Sequence, residues 1–96
     1  MEILVAYDVA TDTPEGQRRL RQVARVCVDF GHRVQKSVFE CSVSDMQYEK
    51  LLRRLMGCID DEEDSLRIYR LQSPKEQFIQ HYGIDRGIDF TGPLVV

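Results

Sequence analysis

No stretch of this 96-residue chain approaches the ~20 consecutive apolar residues that a membrane-spanning helix needs, and no charged-then-apolar leader opens it. The expectation is a cytoplasmic protein with no membrane partner. Cysteine is scarce: Cys27, Cys41 and Cys58 are odd in number, far apart and outside any C-x-x-C pattern, which offers neither a disulfide framework nor zinc spacing. Cys27 and Cys58 fall on or beside apolar helix faces, where cysteine behaves as a small hydrophobe. The two histidines, His32 and His81, have no partner at ligand spacing. No Gly-rich phosphate loop supports a small-molecule module. Length allows one domain over residues 1–96. A chain of this size buries only about two-thirds of its unfolded surface, so an oligomer would help it.

Charge is short on the acidic side in one place and short on the basic side in another. The formal net charge of -3 argues mildly against a nucleic-acid partner, but the average conceals a segregation. Arg18, Arg19, Arg21, Arg25, Arg33 and Lys36 are opposed within their stretch only by Asp29, whereas Asp60, Asp61, Glu62, Glu63 and Asp64 form one acidic run. Local potential rather than net charge steers a polyanion, so a basic surface with a remote acidic loop can hold phosphates. A solvated helix face and a solvated loop account for the same charges.

The most informative residue present is Asp8. It closes the apolar run ILVAYDV, Ile3 to Val9, in which both alternating faces are apolar, as in a central strand covered on both sides. A carboxylate at the end of such a run calls for a metal, a helix N-terminus or a cationic partner. Thr13-Pro14 then predicts a helix start. Leu20, Val23, Ala24 and Cys27 form its buried face, opposite Arg18, Arg21 and Arg25, and Gly31 is placed to end it in a left-handed cap. From Arg33 to Val43 the apolar alternation changes phase, which predicts two short strands joined near Lys36 and Ser37. Ser44 with Gln47 is a capping box, opening an amphipathic helix through Tyr48, Leu51, Leu52, Leu55, Met56 and Ile59. The acidic run reads as a loop, Ser65 to Leu71 as a strand, Phe78 to Tyr82 as a short helical turn, and Ile88 to Val96 as an extended edge segment.

The order β-α-β-β-α-β is the α+β, ferredoxin-like arrangement, with residues 72–96 as a C-terminal extension available to pair with a sheet edge, its own or a partner's. Two helices on one face leave the other face bare, which predicts a homodimer about a two-fold axis. Such a dimer could bring two Asp8 carboxylates together, and magnesium takes one or two protein carboxylates with water and phosphate oxygens. An Asx turn or a helix cap explains Asp8 as well.

The strand-terminal YDV, the arginine-rich first helix ending in glycine, and RVQKSVFEC, with Gln35, Ser37, Val38 and Phe39 in family spacing, resemble the CRISPR-associated protein 2 family. The resemblance runs from Ile3 through SLRIYRL. It implies a small homodimer acting with the CRISPR-associated protein 1 integrase in spacer acquisition. It also implies a metal-dependent endonuclease acting on single-stranded RNA or double-stranded DNA. On this reading Asp8 is the catalytic residue and the Mg2+ ligand. Arg18, Arg19, Arg21 and Arg33 contact nucleic acid, and Tyr7 and Phe39 support them. Where members often have serine or threonine just beyond the aspartate, this chain has Ala10 and then Thr11. Phe39 and Tyr7 have packing explanations beside the functional one, and Gln35 and Ser37 suit backbone groups around a strand irregularity. The alternative to the enzyme is a non-catalytic dimeric scaffold that bridges integrase subunits and holds DNA by its backbone.

Overall fold

The computed structural model describes residues 1–84. Four strands form one antiparallel sheet in the order β2-β3-β1-β4, built from β1 (Glu2–Asp8), β2 (Gly31–Gln35), β3 (Val38–Ser42) and β4 (Ser65–Leu71). Helices α1 (Pro14–Phe30) and α2 (Asp45–Met56) complete the βαββαβ order, so the architecture is ferredoxin-like. A single turn of 3-10 helix follows at Lys75–Gln77. The extended segment expected at Ile88 to Val96 lies outside the described residues.

Side-chain alternation along β1 decides which face of the sheet is covered. Ile3, Val5 and Tyr7 are buried with Phe39 and Cys41 of β3, because both helices pack on that side with Val23, Ala24, Val26 and Cys27 from α1 and Leu51 and Leu55 from α2. Leu4 and Ala6 point the other way and stay half-buried. Their cross-strand neighbours are Tyr69 and Arg67 on β4 and Glu40 and Val38 on β3. One face is thus closed by helices and the other open, as the element order predicts.

Both helix starts have the expected chemistry. The Thr13 hydroxyl accepts from the Gly16 amide at 3.1 Å, with Pro14 at the first helical position. The capping box is complete: Gln47 N–H donates to the Ser44 hydroxyl at 3.2 Å, and Ser44 N–H donates to the Gln47 side-chain oxygen at 2.8 Å. The two helices are tied by Arg54, which pairs with Asp29 at 2.8 Å and lies 5.6 Å from the Phe30 ring centre.

Two local expectations are corrected. Gly31 is not a left-handed cap: its φ of -164° is extended backbone, and it already belongs to β2. Glycine is required there for space, since a Cβ would stand 2.2 Å from the Glu40 carbonyl oxygen and 2.5 Å from Cys41 Sγ. The helical turn expected at Phe78 to Tyr82 lies earlier, at Lys75–Gln77. Lys75 anchors it to the open sheet face through Glu2 at 3.8 Å and Glu40 at 3.5 Å, whereas Phe78 and Tyr82 are exposed and bury nothing that would stabilise a turn. The phase change between β2 and β3 is real: a turn occupies Lys36 and Ser37, and the register slips between Arg33 and Gln35.

Candidate active site and nucleic-acid interface

Asp8 is exposed at the last position of β1, paired in register with Ser65 of β4. Its place in the alternation puts its side chain on the open face, with Leu4 and Ala6. Tyr7 precedes it at the same sheet edge, but successive strand residues face opposite ways. The Tyr7 side chain therefore turns under the helices, and its hydroxyl donates to the Lys36 carbonyl at 3.4 Å. The expected site residues divide between two faces: Asp8 is open to solvent, while Tyr7, Arg33 and Phe39 form a packed group beneath it.

That group has a definite construction. The Tyr7 and Phe39 rings stack at 6.3 Å between centres with 24° between planes, and the Arg33 guanidinium carbon lies 5.1 Å from the Phe39 ring centre. Burial raises the Tyr7 phenol above its usual 10.0, against the opposing hydrogen bond from Arg33. Tyr7 consequently stays protonated at neutral pH and is a donor, not a base. Phe39 is completely buried and has no face free to stack on a nucleobase.

On α1, Arg18, Arg21 and Arg25 are exposed along one stripe, the i, i+3, i+7 spacing that places side chains on one side of a helix. Arg19 is different. Its guanidinium turns inward and donates through Nε to Asp64 at 2.8 Å and through a terminal nitrogen at 3.3 Å. The Asp64 side chain is fully buried and that of Arg19 19 % exposed, so Arg19 is engaged in a bidentate pair rather than free for phosphate.

Sequence reasoning missed Asp64 as an individual. Its carboxylate also accepts from the Ala10 amide at 3.1 Å and the Asp60 amide at 2.9 Å. Burial raises its pKa, but Arg19 and these two amides more than reverse that and hold it below the usual 3.8. The one clue in the sequence was its position immediately before a strand, and four acidic neighbours hid it. Because the folded pKa lies below the unfolded one, Asp64 contributes stability that is fully present above about pH 4 and lost as pH falls through the folded value. Thermal melts from pH 7 to pH 2 should therefore decline less steeply below about pH 4 in Asp64→Asn than in the wild type.

Two buried thiols give no sign of reactivity. Burial pushes Cys27 up to about 12 and Cys41 to about 11, so neither carries an appreciable thiolate at neutral pH. Among the described residues no group of three or more His, Cys, Asp or Glu side chains is placed to hold a metal. Asp8 nonetheless offers one exposed hard oxygen ligand, and the donor chemistry fits magnesium, which completes its shell with water and phosphate oxygens. No helix among the described residues is long and apolar enough to cross a membrane.

Comparison with known proteins agrees with this architecture. Residues 1–78 match the family model described as CRISPR associated protein Cas2. The chain is 59 % identical over 96 residues to "CRISPR-associated endoribonuclease Cas2 1" of Moorella thermoacetica, covering 100 % of both chains. It is 45 % identical over 95 residues to "CRISPR-associated endonuclease Cas2" of Halalkalibacterium halodurans, covering 99 % of each. The crystal structure of Streptococcus pyogenes Cas2 at pH 6.5 superposes with a TM-score of 0.78 at 47 % identity, over 86 % of this chain and 100 % of that one. With residues 1–78 matched by the family model and relatives matched along their whole length, this chain belongs to the CRISPR-associated Cas2 family.

Proposed function

We propose that the protein is a magnesium-dependent endonuclease that works as a homodimer with the CRISPR-associated protein 1 integrase in spacer acquisition. The observation that carries this reading is the placement of Asp8, an exposed carboxylate at the end of a central strand, on the sheet face opposite α1 and α2. The names of relatives, an endoribonuclease in one case and an endonuclease in another, support a phosphodiester substrate. Leu4, Ala6, Val38 and Leu71 give the open face a partly apolar centre. A second copy seated there would bury it and approach Asp8 from across the face.

Bound at Asp8, magnesium would supply Lewis acidity toward a phosphodiester oxygen and a more acidic water. The chain's own groups do the rest. Arg18, Arg21 and Arg25 hold phosphates along α1, whose first turns lie at the Asp8 end of the sheet because only a short loop joins β1 to α1. The acidic run between α2 and β4 lies at the same end, where Asp64 holds Arg19 and the Ala10 amide and so takes Arg19 out of the stripe.

One observation favours the scaffold reading. Among the described residues each chain offers a single carboxylate on the open face at that end, and the adjacent phenol, Tyr7, is protonated and turned away. A general base has to reach the proton it removes. Single-stranded RNA and double-stranded DNA cleavage in magnesium, wild type against Asp8→Asn, separates the two readings.

The arginine stripe makes its own prediction. Removing one phosphate-binding cation should reduce the slope of log K against log salt by about 0.9 for a duplex. Arg18→Ala, Arg21→Ala and Arg25→Ala should each flatten the slope in a fluorescence-anisotropy titration, whereas Arg19→Ala should leave it unchanged. A slope that responds to Arg19 and not to the other three would move the interface away from this stripe.

A further inference from the structure

Asp64 holds a position that neither the nuclease reading nor the sheet architecture accounts for. Its side chain is fully buried, whereas Asp61, Glu62 and Glu63 before it are exposed. Both carboxylate oxygens accept two bonds. One takes the Ala10 amide and a terminal Arg19 nitrogen, and the other takes Arg19 Nε and the Asp60 amide. Three separate stretches of chain therefore meet on one carboxylate: the exit of β1, the second turn of α1, and the loop that enters β4.

Two of those stretches carry Asp8. Ala10 lies two residues beyond it, and Ser65, the register partner of Asp8, follows Asp64 directly. The backbone on either side of the Asp8 pairing is thus fixed to the same buried group. Gly16 tightens the arrangement, because α1 approaches the Ala10 carbonyl so closely that a Cβ would stand 1.9 Å from that oxygen. An exposed carboxylate at a strand end ordinarily samples many orientations as its strand frays. Here fraying past Asp8 breaks the charge-assisted hydrogen bond from the Ala10 amide to the Asp64 carboxylate, which Arg19 holds in place.

We propose that Asp64, with Arg19 as its cation, is a positioning residue for Asp8: it sets the direction of the Asp8 carboxylate by locking the backbone at the exit of β1. The assignment rests on the reading of Asp8 as a metal ligand. Groups that orient a metal ligand from behind typically change metal affinity or activity by 10–100-fold when removed. Asp64 would do so through the peptide backbone, with no contact to substrate.

The test uses the full-length protein. Mn2+ binding is measured by isothermal titration calorimetry, and kcat and KM for magnesium-dependent cleavage are measured beside it, for wild type and Asp64→Asn. Both are held below the onset of unfolding of the variant. The expected result is a fall of about tenfold or more in Mn2+ affinity and in kcat, with KM within about twofold, because the arginine stripe is untouched. A variant that is folded, binds Mn2+ as the wild type does and keeps its kcat overturns the assignment and leaves Asp64 as a fold-holding acid. Should Asp64→Asn not fold, Arg19→Gln carries the same measurement, since Asp64 then loses its cation but keeps its two amide donors. Wild-type affinity and kcat in that variant overturn the assignment equally. A wild-type protein that binds no Mn2+ overturns the nuclease reading itself, and the assignment with it. That outcome is distinct from a wild type that binds and a variant that binds as well.

Discussion

Asp8→Asn is expected to lower magnesium-dependent cleavage by about 1,000-fold while leaving the protein folded. The two halves of this expectation have separate causes. Asp8 is exposed and ends its strand, so removing its charge empties no cavity and strands no buried group. Surface changes of that kind ordinarily cost within about 0.5 kcal/mol. The catalytic half is larger because a metal held at one protein carboxylate loses its anchor outright. Lewis-acid stabilisation amounts to several kcal/mol, and each 1.36 kcal/mol is about a factor of ten in rate. Cleavage assayed beside a thermal melt checks both. Equal cleavage by the two proteins would remove Asp8 from the chemistry and leave the dimeric scaffold as the better account of the family fold here.

Much of the architecture was legible because each element carries its own period or punctuation. The β1 alternation, the Thr13-Pro14 start, the Ser44–Gln47 box and the phase change before Phe39 each depend on neighbours in sequence, and each appears where expected. The errors share a different origin. Gly31 looked like a helix terminator because glycine after a helix usually is one. Its actual cause is the close approach of the β3 backbone at Glu40 and Cys41, a long-range contact that no local pattern records. Arg19 looked like one more member of a basic helix face, since helical spacing alone places it at the border of that face. Only the fold brings Asp64 to it across 45 residues.

The placement of the residues that the family resemblance singled out was not legible in the sequence. Asp8 and Tyr7 end β1, whereas Phe39 and Arg33 sit across from Val5, in the middle of that strand's register. Strand alternation sends Asp8 to the open face and Tyr7 to the covered one, and β2 carries Arg33 in against the Phe39 ring. The period of two was available from the sequence; which face the helices would cover was not. That choice follows from the right-handed βαβ crossover, a property of chain topology rather than of any single residue.

Phe39→Ala is expected to cost about 3–5 kcal/mol, the range for deleting a fully buried phenylalanine, out of a total that is only about 5–15 kcal/mol for a domain. Phe39 is 0 % exposed, and its ring is the surface on which both Tyr7 and Arg33 rest. The alanine variant therefore leaves a cavity and also removes the ring face that the Arg33 guanidinium lies against, an interaction of about 0.5–2 kcal/mol. Urea denaturation should place its midpoint far below that of the wild type, with partial unfolding already present in buffer. Phe39→Leu refills most of the space and should recover the greater part of that stability. The pair of variants decides what the aromatic ring is for. If it is packing, cleavage per folded molecule in Phe39→Leu matches the wild type, because a buried ring touches no nucleobase. If Phe39→Leu folds normally and yet cleaves at least tenfold more slowly, the ring serves the substrate, and this end of the sheet must open for nucleic acid to reach it.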